Sequence, residues 1–147
     1  MEKKIKELEK IIKYEFKKTT YLEKALTHKS FNNEINNEKL EFLGDRVLGL
    51  IISKILYMLF PKDKEGDLDK KLASLVNKKR CVEISNYLSL KDYVLVGDNK
   101  DNLKIENKIL ADTVESIVGA LYLDQGLDVT CLLYTSDAAD EGLGVDL

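Results

Sequence analysis

Two groups of acidic residues lie at helical spacing inside otherwise apolar stretches of the sequence. Glu38, Glu41 and Asp45 are three and four residues apart, so they project from one face of a helix rich in Leu, Phe, Val and Ile. Asp112 and Glu115 are three residues apart within a second apolar stretch. Burying ionised carboxylates without partners is costly, and a shared divalent cation would offset that cost. The spacing therefore favours one metal site between two helices, with structural ion pairs or exposed charge as the alternatives.

The predicted site would bind a hard cation because its ligands are all oxygen atoms. Mg²⁺ is the physiological candidate and Mn²⁺ a substitute. Such a site often serves phosphoryl transfer, in which the cation activates water and offsets the charge on the phosphate. Small residues would let the two helices approach closely, namely Gly44, Gly49, Ser116 and Gly119. Three cations near these helices are expected on other faces or a turn away, namely Lys39, Arg46 and Lys108.

The two acidic helices are the longest elements that the sequence predicts. The first runs over residues 37–60, is stopped by Pro61, and is apolar on most of its circumference in its second half, which favours the buried centre of the fold. The second runs over residues 106–124 and is expected to end at Gly126 as a left-handed cap.

Shorter helices are predicted around this pair, and together they indicate one all-α domain. Apolar spacing predicts helices over residues 5–16, 21–28 and 80–88 and from about Asp67. Thr20 is expected to cap the second helix, with Glu23 as its capping-box partner. Residues 94–96 are strand-like, but a lone strand cannot form a sheet.

Length and composition exclude several other classes of protein. The 147 residues suffice for one domain, and 44% apolar with 33% charged residues indicates a globular chain with a core. No apolar run approaches the ~20 residues that a membrane span needs, and the charged N-terminus is not a secretory signal. The two cysteines, Cys81 and Cys131, cannot form a disulfide framework, so a reducing cytoplasm is expected.

Five segments, in order along the chain, resemble motifs of the ribonuclease III family. NEKLEFLGDRVLGL (Asn37–Leu50) is similar to the family's signature, and KILADTVESIVGALYLDQG (Lys108–Gly126) is similar to its second acidic motif. LTHKSF (Leu26–Phe31), FPKDKEGDL (Phe60–Leu68) and LASLVN (Leu72–Asn77) match its lesser landmarks. The resemblance covers about residues 5–130 and is specific, because a nine-residue near-exact match is joined by a correctly placed second motif.

The resemblance implies an all-helical nuclease domain that works as a homodimer. Members of the family cut double-stranded RNA with Mg²⁺ and leave 5′-phosphate and 3′-hydroxyl ends, here in the processing of ribosomal or messenger precursors. The resemblance implies four metal-binding carboxylates, namely Glu41, Asp45, Asp112 and Glu115. Two of them, Asp45 and Glu115, are also assigned as catalytic. The resemblance assigns supporting acidic roles to Glu38 and Glu65. It also implies that Phe42 inserts into the partner subunit at the dimer interface. Double-stranded RNA and a second copy of the chain are the expected partners.

Other polar residues are interpreted without a catalytic role. His28 is expected to be a hydrogen-bonded structural residue in the turn Thr27-His28-Lys29-Ser30, because no histidine nucleophile is needed. Cys81 is expected to be a small buried residue. A cluster of five cations could contact phosphates, but a solvated helix face explains most of it: Lys70, Lys71, Lys78, Lys79 and Arg80.

The last 17 residues differ in composition from the rest of the chain. Residues 131–147 contain four of the 26 acidic residues and none of the 23 basic ones, so residues 1–130 carry a net charge of +1 although the whole chain carries −3. We interpret residues 1–130 as the nuclease domain and 131–147 as a non-native or disordered tail. Bacterial members carry a double-stranded-RNA-binding domain that is absent here, so the chain resembles a longer enzyme cut short.

Two other functions are alternatives to the nuclease. One is a non-catalytic ribonuclease-III-like protein that binds RNA or assists ribosome assembly; such proteins usually lose acidic positions, whereas this sequence retains all four. The other is a helical di-iron protein, which would require Glu-x-x-His pairs. With His28 as the only histidine, the di-iron interpretation is discarded.

Overall fold

The computed structural model describes residues 1–97 and 105–130 and forms an all-helical domain. Its helices are α1 (Glu2–Ile12), α2 (Thr19–Ala25), α3 (Glu38–Leu59), α4 (Glu65–Leu75), α5 (Lys78–Tyr87) and α6 (Asn107–Gln125). A short 3₁₀ turn covers Leu90–Asp92. The interpretation of residues 131–147 as a separate tail lies outside the described residues, as does the end of the irregular stretch at 98–102.

The centre of the fold is α6, which packs against α3, α5 and α2. Ten residues of α6 between Leu110 and Leu121 are buried, which explains why this helix is apolar on nearly every side. The long helix α3 is buried on one face only, through residues such as Leu48, Ile51 and Ile52. The expectation that α3 would be the buried centre of the fold is therefore wrong in part: its opposite face carries exposed apolar side chains.

The contact between α3 and α6 depends on two glycines. A Cβ atom at Gly44 would overlap the backbone carbonyl oxygen of Glu115, and one at Gly119 would overlap that of Leu40. Ser116, fully buried between the helices, donates its hydroxyl to the carbonyl oxygen of Asp112 at 2.7 Å. The packing argument from small residues is confirmed for these positions, but not for Gly49, beside which there is open space.

Several predicted helix ends differ from the observed ones. The first helix ends at Ile12, where Lys13 adopts a left-handed conformation, and Phe16 is buried beyond the helix. The second helix begins at Thr19 without a side-chain cap, so the capping box at Thr20 is not formed. The fourth begins at Glu65, two residues before its predicted start. Gly126 has a positive φ of 87°, but its ψ of −179° lies outside the left-handed helical region. The predicted left-handed cap at Gly126 is therefore not formed.

The region after α5 is irregular, as expected. Leu95 forms an isolated parallel bridge with Thr27, and the described residues contain no strand longer than this. The bridge fixes the loop before α3, because the backbone N–H of His28 donates to Leu95 at 2.9 Å. Asn37, buried at the start of α3, continues this connection by donating its side-chain amide to Ala25 at 3.2 Å. None of the helices in the described ranges is long and apolar enough to cross a membrane.

Candidate metal centre

Three carboxylates from α3 and α6 converge on one point beside the glycine contact. Oxygen atoms of Glu41, Asp112 and Glu115 lie within 4.8 Å of one another, and all three side chains are half-buried. Glu41 occupies the first turn of α3, one turn before Gly44, while Asp112 and Glu115 lie on successive turns of α6. The close approach of the two backbones thus brings the acidic face of each helix to the same cleft.

Burial and mutual repulsion both raise the pKa values of carboxylates in this cluster. Burial, followed by the charges of neighbouring carboxylates, raises the pKa of Glu115 to about 7. Burial and the charge of Asp112 also raise the pKa of Glu41 above its usual range. Burial is the larger cause of both shifts, and the neighbouring carboxylates add to it although Lys108 opposes them. A divalent cation among the three oxygen ligands would supply positive charge, so the donor set fits Mg²⁺ or Mn²⁺.

Asp45, the fourth predicted ligand, lies beside this cluster rather than within it. It lines the same open cleft as Glu41 and Glu115, and its charge is the largest carboxylate contribution to the raised pKa of Glu115. Its side chain is about half exposed and forms an ion pair with Arg46 at 3.3 Å. The structure therefore gathers three of the four predicted carboxylates within contact of one ion and keeps Asp45 on the rim.

The two supporting acids differ in position. Glu38 lines the cleft and forms an exposed ion pair with Lys29 at 3.5 Å. Glu65 is the exposed first residue of α4 and is not among the described residues that line the cleft.

Lys108 is a part of the site that the sequence interpretation missed. Its Nζ atom lies 2.7 Å from Oδ2 of Asp112, one helical turn further along α6. Lys108 lies a turn away from Asp112, as the spacing predicts, but it still reaches that carboxylate, because residues four apart share a face of a helix and a lysine stem spans that distance. The spacing of four between Lys108 and Asp112 was the available indication.

The residues interpreted as structural behave as expected. Nδ1 of His28 is 2.7 Å from the hydroxyl of Ser30, and burial is the main cause that lowers the pKa of His28. Cys81 is buried and free, and burial raises the pKa of its thiol to about 12. In the lysine cluster, Lys71 pairs with Asp63 and lies over the ring of Phe60, and Arg80 pairs with Glu83.

A helical fold with a carboxylate cleft between its two longest helices defines the structural class, and comparisons with known proteins define the family. A family model described as ribonuclease-III-like matches residues 18–136. A protein named Ribonuclease 3 from Pelagibacter ubique is 56% identical over 124 residues, which is 84% of this chain and 56% of that protein. A Ribonuclease 3 from Campylobacter jejuni is 46% identical over 128 residues, covering 86% and 57% of the two chains. The chain belongs to the ribonuclease-III-like family.

Solved structures agree with this assignment. The nuclease domain of ribonuclease III from Campylobacter jejuni matches with a TM-score of 0.90 and 41% identity, over 95% of this chain and 99% of that one. Dicer from Pichia stipitis matches with a TM-score of 0.65 and 28% identity, over 88% and 59%. The all-helical fold is therefore that of a ribonuclease III nuclease domain, and the chain spans somewhat over half the length of the two curated relatives described above.

Proposed function

We propose that this chain is a nuclease domain that cleaves double-stranded RNA with the help of Mg²⁺ and leaves 5′-phosphate and 3′-hydroxyl ends. The observation that carries the proposal is the convergence of Glu41, Asp112 and Glu115 in a cleft open to solvent. Membership in the ribonuclease-III-like family supports the choice of RNA over other phosphodiesters. Precursors of ribosomal and messenger RNA are the proposed substrates, which implies a cytoplasmic location.

The three converging carboxylates are the proposed ligands of the cation. When bound, Mg²⁺ would supply Lewis acidity toward the phosphate and toward water. Glu115 has to lose its proton to act as a ligand, and its raised pKa means that the metal-free protein holds this proton for part of the time near pH 7. Asp45, on the rim and close enough to influence Glu115, is the proposed fourth acid on the substrate side of the cleft.

Cleavage of a long RNA duplex tests the proposal directly. The wild-type chain is incubated with duplex RNA, Mg²⁺ and low salt, because phosphate contacts weaken steeply as salt rises. We expect fragments with 5′-phosphate ends, and a loss of at least about 100-fold in rate for Glu115→Gln, since even outer partners of metal ligands contribute 10- to 100-fold. Single-stranded RNA is the control substrate. A folded wild-type chain that binds the duplex without cutting it would contradict the proposal and favour the non-catalytic RNA-binding alternative.

We also propose that two copies of the chain pair through the exposed apolar face of α3. Phe42, Leu50 and Tyr57 are 63%, 55% and 72% exposed, and they fall within about 80° of one another around the helix at 3.6 residues per turn. Side chains of this size on one face indicate a surface that another molecule covers. Phe42 lies on this face beside the cleft, with the guanidinium of Arg46 stacked 4.0 Å from the centre of its ring.

The oligomeric state of a Phe42→Ala variant tests this pairing. We expect analytical ultracentrifugation to show a dimer for the wild type and a dissociation constant at least about tenfold higher for the variant, which is the range of a buried aromatic anchor. Tyr87→Ala removes an exposed aromatic side chain from α5 instead and serves as the control. Equal dissociation constants for the wild type and Phe42→Ala would contradict the assignment of Phe42 to the interface.

A further inference from the structure

One ion pair in the cleft has no place in the function proposed so far. The ammonium group of Lys108 lies 2.7 Å from Asp112, and the two side chains differ in exposure, with 63% for Lys108 and 18% for Asp112. The ammonium group therefore reaches Asp112 from the solvent side. Since Asp112 is one of the three converging carboxylates, Lys108 already provides positive charge at the cluster.

The position of Lys108 in its helix is unfavourable apart from this contact. It is the second residue of α6, in the turn where the helix macrodipole presents positive charge and disfavours a cation. A lysine that precedes its acidic partner by four residues also has the weaker of the two orientations for such a pair. The helix itself therefore does little to hold the ammonium group beside Asp112, and the negative charge of the carboxylate cluster is what attracts it.

From the metal site proposed above, on which this inference rests, we propose that Lys108 is an internal counter-ion and that a divalent cation must displace its ammonium group from Asp112 to bind. A divalent cation bound to Asp112 would lie within a few ångströms of this ammonium group, and like charges at that distance repel each other. The exposed stem of Lys108 leaves the ammonium group free to move into solvent without breaking the core. In the absence of metal, the ammonium group thereby reduces the repulsion among the carboxylates. When the metal binds, the ammonium group leaves Asp112.

Divalent-cation affinity in the absence of RNA tests this competition. Binding of Mn²⁺ to the full chain is measured by calorimetry for the wild type and for Lys108→Met, with circular dichroism to verify folding. We expect the dissociation constant to fall about two- to fivefold in the variant, the size expected when a partly exposed ion pair no longer competes. Lys29→Met is the matched control, because it also removes one positive charge near the cleft but from Glu38, outside the cluster. The control is expected to change the constant by less than about 1.5-fold.

A second measurement follows Lys108 itself. Acylation of its amine is quantified by mass spectrometry with and without Mn²⁺ at fixed pH, relative to exposed Lys54 on α3. We expect labelling of Lys108 to rise at least twofold when Mn²⁺ binds. Unchanged labelling, unchanged or weaker Mn²⁺ binding by Lys108→Met, or an equal effect of Lys29→Met would each overturn the displacement. Failure of the wild type to bind Mn²⁺ would overturn the metal site as well, which separates the two proposals.

Discussion

The C-terminal end and the middle of α6 carry carboxylates in opposite environments. Near the C-terminus, Asp124 accepts hydrogen bonds from the hydroxyl of Tyr14 at 2.7 Å and from the backbone N–H groups of Lys17 and Lys18 at 2.9 and 3.0 Å. Burial alone would raise the pKa of Asp124, but these hydrogen bonds lower it. In the middle of the helix, burial and like charges raise the pKa of Glu115 to about 7.

The difference separates a structural carboxylate from a functional one. The chain itself provides the donors that Asp124 needs, so its charge stabilises the link between the start of α2 and the end of α6. Glu115 faces other carboxylates instead, and the charge of Lys108, which pairs with Asp112, offsets their effect on its pKa only in part. The environment of an acidic residue, rather than its type or its helix, is thus what distinguishes the candidate metal centre.

The largest expected difference between Glu115 and Asp124 is in their effect on metal affinity. Glu115→Gln is expected to weaken Mn²⁺ binding at least about 100-fold because it removes a ligand, whereas Asp124→Asn on the same helix is expected to leave it within about twofold. Calorimetric titration of both variants measures the difference. A comparable loss in Asp124→Asn would mean that the two carboxylates of α6 are not independent.

The effects on stability are expected to be reversed. Asp124→Ala leaves three donors without their acceptor and is expected to lower the free energy of unfolding by about 2 kcal/mol. Glu115→Gln relieves repulsion and is expected to raise it in metal-free protein at pH 7.5. Urea unfolding in the presence of a chelator measures both values. The distinction between the two carboxylates would be wrong if Glu115→Gln were the more destabilising substitution.

The smallest expected effect is the pH dependence that Glu115 gives to the metal-free protein. Its pKa is about 7 in the folded chain and has a reference value of 4.5, so the folded state binds the proton more tightly. This contribution to stability is fully present below pH 4.5 and is lost as the pH rises through 7. Because the side chain is only half-buried, solvent screening reduces the expected fall to about 1 kcal/mol. The measurement is the difference between the free energies of unfolding of the wild type and Glu115→Gln, determined by urea unfolding at several pH values. A difference that stays constant across this range would contradict the raised pKa.

The fold could be predicted from the sequence wherever local patterns decide it. The helices over residues 37–60 and 106–124 were located to within one residue, because apolar spacing and Pro61 act on nearby backbone. The start of the second helix could not be predicted in the same way. The N–H groups of Lys17 and Lys18, just before the helix, donate to Asp124, which is more than 100 residues away in the sequence. The helix then begins at Thr19, and the cap at Thr20 that the local sequence favours does not form.

The site was predictable to a similar degree. Spacings within α3 and α6 favoured a site between the two helices, and the resemblance then selected four carboxylates, of which Glu41, Asp112 and Glu115 converge. Spacing cannot fix the rotamer of a long or exposed side chain, however. Asp45 pairs with Arg46 on the rim of the cleft, and Lys108 reaches Asp112, which lies one turn further along α6. The assignments of metal-binding and catalytic roles to these residues remain predictions that the experiments above test.

The glycine contact between α3 and α6 also limits how far apart the carboxylates of the cleft can lie. Because Gly44 touches the backbone of Glu115 itself, no side-chain rotation can change the distance between the two helices at this point. A methyl group at position 44 would overlap the carbonyl oxygen of Glu115, so the helices would have to separate and Glu41 would move away from Asp112 and Glu115. The geometry of the cleft therefore depends on a residue that has no side chain and offers no ligand.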